Sequence, residues 1–259
     1  MSRPNLGKWE TLVIFGGTSR IAQEVARKAA ADNRRIIIVG RHVMRLELVR
    51  GDLLARGAPR VDAIACDLAD IRQHEALWIE LDVLLTEPAA YLLAYGTLGD
   101  QKVAESNVAY AVSELTTNLV SSVALLTVLG ERLLSGGNGL IAVITSVAGD
   151  RARRSNYVYG MTKGGLSLFT QGLRARLHPH GIRVLTIKPG PVRTPMTRDL
   201  PGRSFADPRA VGQAIYSQLV TGHRDIMYTP WYWRWIMTVI RLLPETMAKR
   251  LNFLTVIVA

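Results

Sequence analysis

Seven short apolar runs recur along the chain without a regular alternation of polar and apolar residues. They are TLVIF (11–15), RIIIV (35–39), VDAIA (61–65), AAYLLAY (89–95), GLIAVIT (139–145), IRVLTIK (182–188) and DIMYT (225–229). A strand with one wet face alternates, whereas a strand covered on both faces is apolar throughout, as parallel sheets require. Helical patterns fill the gaps near 20–32, 41–56, 70–84, 103–134, 157–178 and 207–221. This alternation predicts an α/β fold: a doubly wound, seven-stranded parallel sheet with helices on both faces. Ligands are then expected at the carboxyl ends of the strands. A chain of 259 residues buries one sizeable core. With no repeat, linker or low-complexity tract, one domain is expected over 1–230, with 231–259 as its helical extension.

The formal charge of +11, from 32 Lys and Arg against 21 Asp and Glu, favours anionic partners. Nothing resembles a helix-turn-helix, a zinc finger or an aromatic strand platform, so nucleic acid is not expected. The single cysteine, Cys66, excludes an internal disulfide and fits a reducing compartment. The start MSRPNLGKWE is polar and carries no secretory pattern, which points to the cytoplasm.

The tail WYWRWIMTVIRLLPETMAKRLNFLTVIVA (231–259) mixes aromatics with Arg234, Arg241, Lys249 and Arg250. Its first helix, before Pro244, is expected to run about 13 residues, short of the roughly 20 that span a bilayer. Aromatics interleaved with arginines suit a helix lying at a peripheral membrane surface. The alternative is a helix packed on the domain or on another subunit.

The first strand leads into GGTSRIAQ (16–23) at the opening of a helix. Glycines there let backbone approach a pyrophosphate, and the helix N-terminus offers free N–H groups. A dinucleotide is the expected ligand, in a Rossmann-type arrangement, with Gly16, Thr18, Ser19, Arg20 and Ile21 as its contacts; the alternative is a plain tight strand–helix turn. Arg41 ends the second strand, where an acid would accept from a free ribose 2′-hydroxyl and an arginine instead matches a 2′-phosphate. NADPH is therefore expected over NADH, with Arg20 as a second cation. Asp67, beside Leu68, would accept from the adenine amino group or cap the next helix.

Tyr159 and Lys163 stand one helical turn apart in NYVYGMTKGGL (156–166). A free phenol, with a pKa near 10, is a poor proton carrier at neutral pH. An ammonium on the same helical face favours the phenolate and lowers that value. Ser146 follows the fifth strand, where its hydroxyl would bond a substrate carbonyl. Asn118, in the long helix before that strand, would tie Lys163 to a water chain. No G-x-S-x-G elbow or H-E-x-x-H pattern occurs, and the five histidines lack ligand spacing. No metal is expected.

Tyr159-x-x-x-Lys163, Ser146, Asn118 and PGPVRT (189–194) together resemble the short-chain dehydrogenase/reductase family over about residues 10–229. The resemblance implies an NAD(P)-dependent oxidoreductase. Tyr159 would be the acid/base, Lys163 would hold the nicotinamide ribose, Ser146 would polarise the carbonyl and Asn118 would complete a proton relay. Gly96, Pro189, Gly190, Val192 and Thr194 would join Tyr159 and Lys163 around the cofactor. Two departures stand out. Phe15, Arg20 and Ala22 replace a threonine and two glycines of the family's loop, so Arg20 either crowds it or reaches the 2′-phosphate. AYG (94–96) replaces the family's Asn-Ala-Gly.

Within that family, GTLGD (96–100), AGDRARRSNYVYGMTKGGL (148–166), KPGPVRTPM (188–196) and the aromatic tail resemble reductases of a 2-keto pentofuranose carried on a polyprenyl phosphate. Such enzymes follow a flavoprotein oxidase and yield the arabinose epimer. Arg151, Arg153 and Arg154 would then clamp the substrate phosphate, the alternative being a solvated loop or subunit contact. The same resemblance implies a homodimer or homotetramer paired through helices 103–134 and 157–178, resting on the inner face of the plasma membrane. A reductase of another lipid or acyl ketone, or a non-catalytic cofactor-binding regulator, are the remaining readings.

Overall fold

The computed structural model describes residues 9–85, 88–136, 139–199 and 205–249. Seven strands form one parallel sheet: β1 (Thr11–Phe15), β2 (Arg35–Gly40), β3 (Val61–Ala65), β4 (Ala89–Leu93), β5 (Leu140–Ile144), β6 (Arg183–Pro189) and β7 (Ile226–Thr229). Their order is β3-β2-β1-β4-β5-β6-β7, so the direction of winding reverses between β1 and β4. A crevice at the carboxyl ends is expected at such a switch point.

The unalternating strands are explained by two apolar layers. Leu12, Ile14, Ile36, Ile38, Leu185 and Ile187 face helices α1 (Arg20–Ala31), α2 (Val43–Ala55) and α8 (Pro208–Val220). Val13, Phe15, Ile37, Val39, Ile141 and Val143 face the opposite layer, which contains α3 (His74–Leu84), α6 (Ser121–Gly136) and α7 (Tyr157–Leu177). Successive side chains point to opposite faces of a strand, so both registers must be apolar. Burying each large apolar side chain contributes roughly 1.5–3 kcal/mol.

The single helix expected over 103–134 is instead α4 (Gln101–Ser106), α5 (Val108–Leu115), a π turn over Thr116–Val120, and α6. The interruptions have local causes. Asp100 accepts from the backbone N–H of Lys102 at 2.9 Å, and Asn107 accepts from that of Tyr110 at 2.9 Å, so each starts its own helix. The run Val108–Gly136 is long and apolar enough to cross a membrane. In the fold, Leu125, Leu126, Leu129 and Leu133 bury it against the sheet, while Val108, Val112, Val120 and Val128 stay exposed.

A cap expected at Asp67 is supplied elsewhere. Asp67 turns back on the N–H of Ala69 at 3.1 Å. Asp70 caps the short turn Ile71–Gln73 ahead of α3.

The described part of the tail packs on the domain. The helix α9 covers Trp233–Leu242, ten residues where about 13 were expected, and is followed by α10 (Glu245–Ala248). Trp233, Met237 and Ile240 bury against Val147. Arg250 and the rest of the expected extension to 259 lie outside the described residues.

Candidate active site

The loops after β1, β2, β3, β4, β5 and β6 surround one cavity of about 410 Å³ at the switch point. Its first wall is the turn from β1 into α1. Gly16 has φ +97°, a left-handed conformation that a side chain would strain, and an added Cβ would meet Tyr95 N at 2.7 Å. Gly16, Thr18, Ser19, Arg20 and Ile21 all line the cavity. Arg20 does not crowd this turn: it opens α1, and its guanidinium reaches back to Glu24 at 2.9 Å. That buried carboxylate also holds Arg27 at 2.7 Å, so the charge of Arg20 is engaged on the helix.

Arg41, His42 and Arg45 line the next stretch, with Asp67 and Leu68 beside them. Arg45 is a contact that the sequence reading missed. The signal was present, since Arg41 and Arg45 are spaced i, i+4 across the start of α2. Two arginines at one end of a dinucleotide-sized cavity suit a ribose phosphate better than a free hydroxyl pair.

The other end gathers Ser146, Tyr159, Lys163, Gly96, Pro189, Gly190, Val192 and Thr194. Ser146 follows β5 and its Oγ accepts from Ala148 N at 3.0 Å, which fixes the rotamer. Tyr159 lies within hydrogen-bonding reach of the Ser146 hydroxyl. Burial pushes the phenol up to about 12, opposed by the Ser146 hydrogen bond and then by the charge of Arg153. Burial lowers the buried Lys163 to about 8. Its Nζ stands 5.8 Å from the centroid of the Tyr159 ring, over the ring. In the cofactor-free protein the rise caused by burial outweighs the lowering contacts, to which Arg153 adds its charge.

The loop carrying Gly96 is laid onto Lys163. A Cβ on Gly96, at φ +147°, would fall 2.5 Å from Asn118 Oδ1 and 3.2 Å from Lys163 Nζ. Asn118 itself is fully buried behind the cavity wall, in the π turn. Its Oδ1 accepts from Thr97 N at 2.9 Å. Its Nδ2 donates to Thr97 Oγ1 at 3.1 Å and to Glu114 O at 3.0 Å. Glu114 Oε2 in turn accepts from Thr97 Oγ1 at 2.7 Å. The Asn118 side chain therefore holds this loop in place. The Thr97–Glu114 pair, also missed from sequence, anchors the segment where AYG replaces the expected Asn-Ala-Gly.

The three arginines of the 149–156 loop separate. Arg153 lines the cavity. Arg151 points away: its Nη1 donates to Leu243 O at 2.8 Å and to Arg241 O at 3.4 Å, and its Nη2 pairs with Glu245 at 2.6 Å. Arg154 is exposed and is not among the cavity's lining residues. The expected phosphate clamp is reduced to Arg153. Neighbouring residues in an irregular loop aim in different directions, so only the fold could separate them. Among the described residues no group of His, Cys, Asp or Glu could hold a metal.

A glycine turn at a helix N-terminus, cations at one end and a Ser–Tyr–Lys group at the other define a nicotinamide-dinucleotide oxidoreductase. The chain belongs to the short chain dehydrogenase family, whose model matches residues 10–203. An uncharacterized oxidoreductase of Mycobacterium tuberculosis is 37% identical over 241 residues, 93% of this chain and 96% of that protein. A Bos taurus 3-oxoacyl-[acyl-carrier-protein] reductase is 30% identical over 223 residues, 81% of this chain and 92% of its own. The actinorhodin polyketide ketoreductase, solved with NADPH, shares the fold at a TM-score of 0.77 and 22% identity, over 87% of this chain and 97% of its own.

Proposed function

We propose that the chain is an NADPH-dependent ketoreductase acting on a ketone attached to a phosphate-bearing, lipid-linked carrier. The form its sequence resembles is the 2-keto group of a polyprenyl-phosphate-linked pentofuranose, as in the reductase subunit of decaprenylphosphoryl-β-D-ribose 2′-epimerase. The observation that carries this reading is the joint placement of Ser146, Tyr159 and Arg153 at one end of the cavity. Two hydroxyl donors and a cation there suit an anionic substrate whose carbonyl oxygen gains charge.

NADPH, when bound, supplies the hydride. Ser146 and Tyr159 donate hydrogen bonds to the carbonyl oxygen, and Tyr159 passes its phenolic proton to that oxygen as charge develops. Burial keeps the phenol protonated through the neutral range, so it is a donor there, while the Ser146 hydrogen bond and the charge of Arg153 oppose the rise and ease release of its proton. Lys163 and Gly96 shape the floor beside Tyr159, and Arg41 with Arg45 favours a 2′-phosphate at the far end.

A second reading, reduction of a 3-oxoacyl thioester, is favoured by the bovine relative. Purified protein incubated with NADPH or NADH against 2-keto furanosyl phosphates and 3-oxoacyl thioesters decides between them. Consumption of sugar phosphates alone supports the first reading, and consumption of thioesters alone selects the second. Tyr159→Phe should abolish turnover while NADPH still binds; near-full activity would remove Tyr159 from the proton step. In the first reading the ketone comes from an alcohol-oxidising enzyme, a flavoprotein in the systems it resembles. We further propose a homodimer or homotetramer paired through the exposed faces of α5, α6 and α7, where Val108, Val112, Met161 and Leu168 stand open. A monomer in sedimentation would refute it.

A further inference from the structure

The helix α9 is apolar on two sides, and its fold uses only one. Trp233, Met237 and Ile240 form the inner side and are buried. Trp231, in the turn leading into the helix, with Trp235, Val239 and Leu242, forms the outer side at spacings of four, four and three. These four are 67%, 64%, 63% and 78% exposed. Arg234 and Arg241, seven residues apart, lie together along one flank of this row and are exposed.

The helix is tied to the rim of the cavity at both ends. The Trp233 indole lies on Gly190, where an added Cβ would come within 2.0 Å of its Nε1. At the other end Arg151, from the loop that follows Ser146, bonds the carbonyls of Ile240, Arg241 and Leu243. Gly190 and Ser146 both line the cavity, so whatever covers α9 sits beside its mouth.

We infer that the outer face of α9 is a docking surface for an anionic lipid bilayer. Its four apolar side chains offer on the order of 500 Å², short of the roughly 800 Å² per partner that a stable protein interface buries. Ten residues rise about 15 Å, which lays the helix flat in the headgroup layer rather than across the membrane. Two tryptophans facing outward suit that depth, because the indole is apolar with one polar edge. Arg234 meets acidic headgroups, Arg241 lies beside it with its side chain also bonded to Tyr228, and the chain's charge of +11 strengthens the attraction. Docking presents the cavity mouth to the bilayer surface, where a lipid-carried ketone would stand. Vesicle binding is read without turnover, so its failure would leave the reductase reading intact.

The test is co-sedimentation of the full chain with vesicles of phosphatidylcholine containing one-third phosphatidylglycerol, and with phosphatidylcholine alone. Binding to the acidic vesicles is expected to weaken with salt, and brominated lipid is expected to quench tryptophan emission. Trp231→Ser with Trp235→Ser should lower partitioning at least tenfold and remove most quenching, with NADPH binding retained as the check on folding. Arg234→Glu with Arg241→Glu should abolish the preference for acidic lipid. Absence of binding to acidic vesicles, or binding indifferent to both pairs of changes, overturns the inference. So does a double tryptophan variant that dissociates an oligomer while still binding vesicles as before, which would assign the face to a second copy.

Discussion

Lys163 is a buried amine in the wall of the cavity, and replacing it with methionine isolates what that amine costs. Its ordinary value of 10.5 falls to about 8 through burial. At about 1.4 kcal/mol per unit, this corresponds to about 3 kcal/mol of unfavourable charge burial at neutral pH. Methionine fills a similar volume without the charge. Lys163→Met should therefore stabilise the cofactor-free protein at pH 7 by about 2–3 kcal/mol, a rise in Tm of roughly 5 °C for a chain of this size. The sign follows from linkage. Below pH 8 both folded and unfolded chains carry the proton, and the whole penalty is present. Between about 8 and 10.5 the folded amine is neutral while the unfolded one is still charged, so folding releases a proton and the wild type gains stability as pH rises. Above 10.5 the penalty has vanished. Urea melts of the two proteins from pH 7 to pH 10.5 should thus converge, while the variant loses turnover at every pH. A variant less stable than wild type at pH 7, or a gap that does not close with pH, refutes this account of Lys163.

Arg151→Ala should destabilise the protein by roughly 1–3 kcal/mol by stripping the last carbonyls of α9, with the KM for an anionic ketone unchanged; Arg153→Ala should do the reverse. Calorimetry and steady-state kinetics on the pair separate the two roles. Asp150 accepts from Tyr228 at 2.7 Å and pairs with Lys188, both charged side chains being nearly buried. Asp150→Ala should cost roughly 3–5 kcal/mol by leaving that ammonium alone, and adding Lys188→Met should restore much of it in denaturant melts. Arg41→Ala with Arg45→Ala should raise the KM for NADPH about tenfold or more and leave that for NADH nearly unchanged, a difference of at least about 1.4 kcal/mol.

These residues also mark where a sequence can be read and where it cannot. The strands were legible because a two-faced sheet leaves no polar register, and each expected strand appears with its ends shifted by at most two residues. Tyr159, Lys163 and Ser146 were legible because their spacing fixes them to one helix turn and one strand end, which the topology then brings together. Asn118 was found by its place in the chain, but the loop it holds was not. Its side-chain bonds go to Thr97 and Glu114, and Thr97 lies 21 residues away, so the tie exists only once the loop after β4 folds over the π turn. Arg151 and Arg153 differ by two positions and by nothing in chemistry, yet one braces α9 and the other faces the cavity. Electrostatics was the least legible of all. On a helix drawn flat, Lys163 is the obvious cation for Tyr159, because one turn separates them. In the folded chain the ammonium lies 5.8 Å from the ring centroid, and burial, which helix spacing alone does not show, acts on the hydroxyl as well. Burial thus opposes ionisation of the phenol in the cofactor-free protein, so at neutral pH it stands as a proton donor. Oxidation by the same chain should instead accelerate as alkaline pH makes the phenolate accessible, and the two directions should differ in their pH profiles for that reason alone.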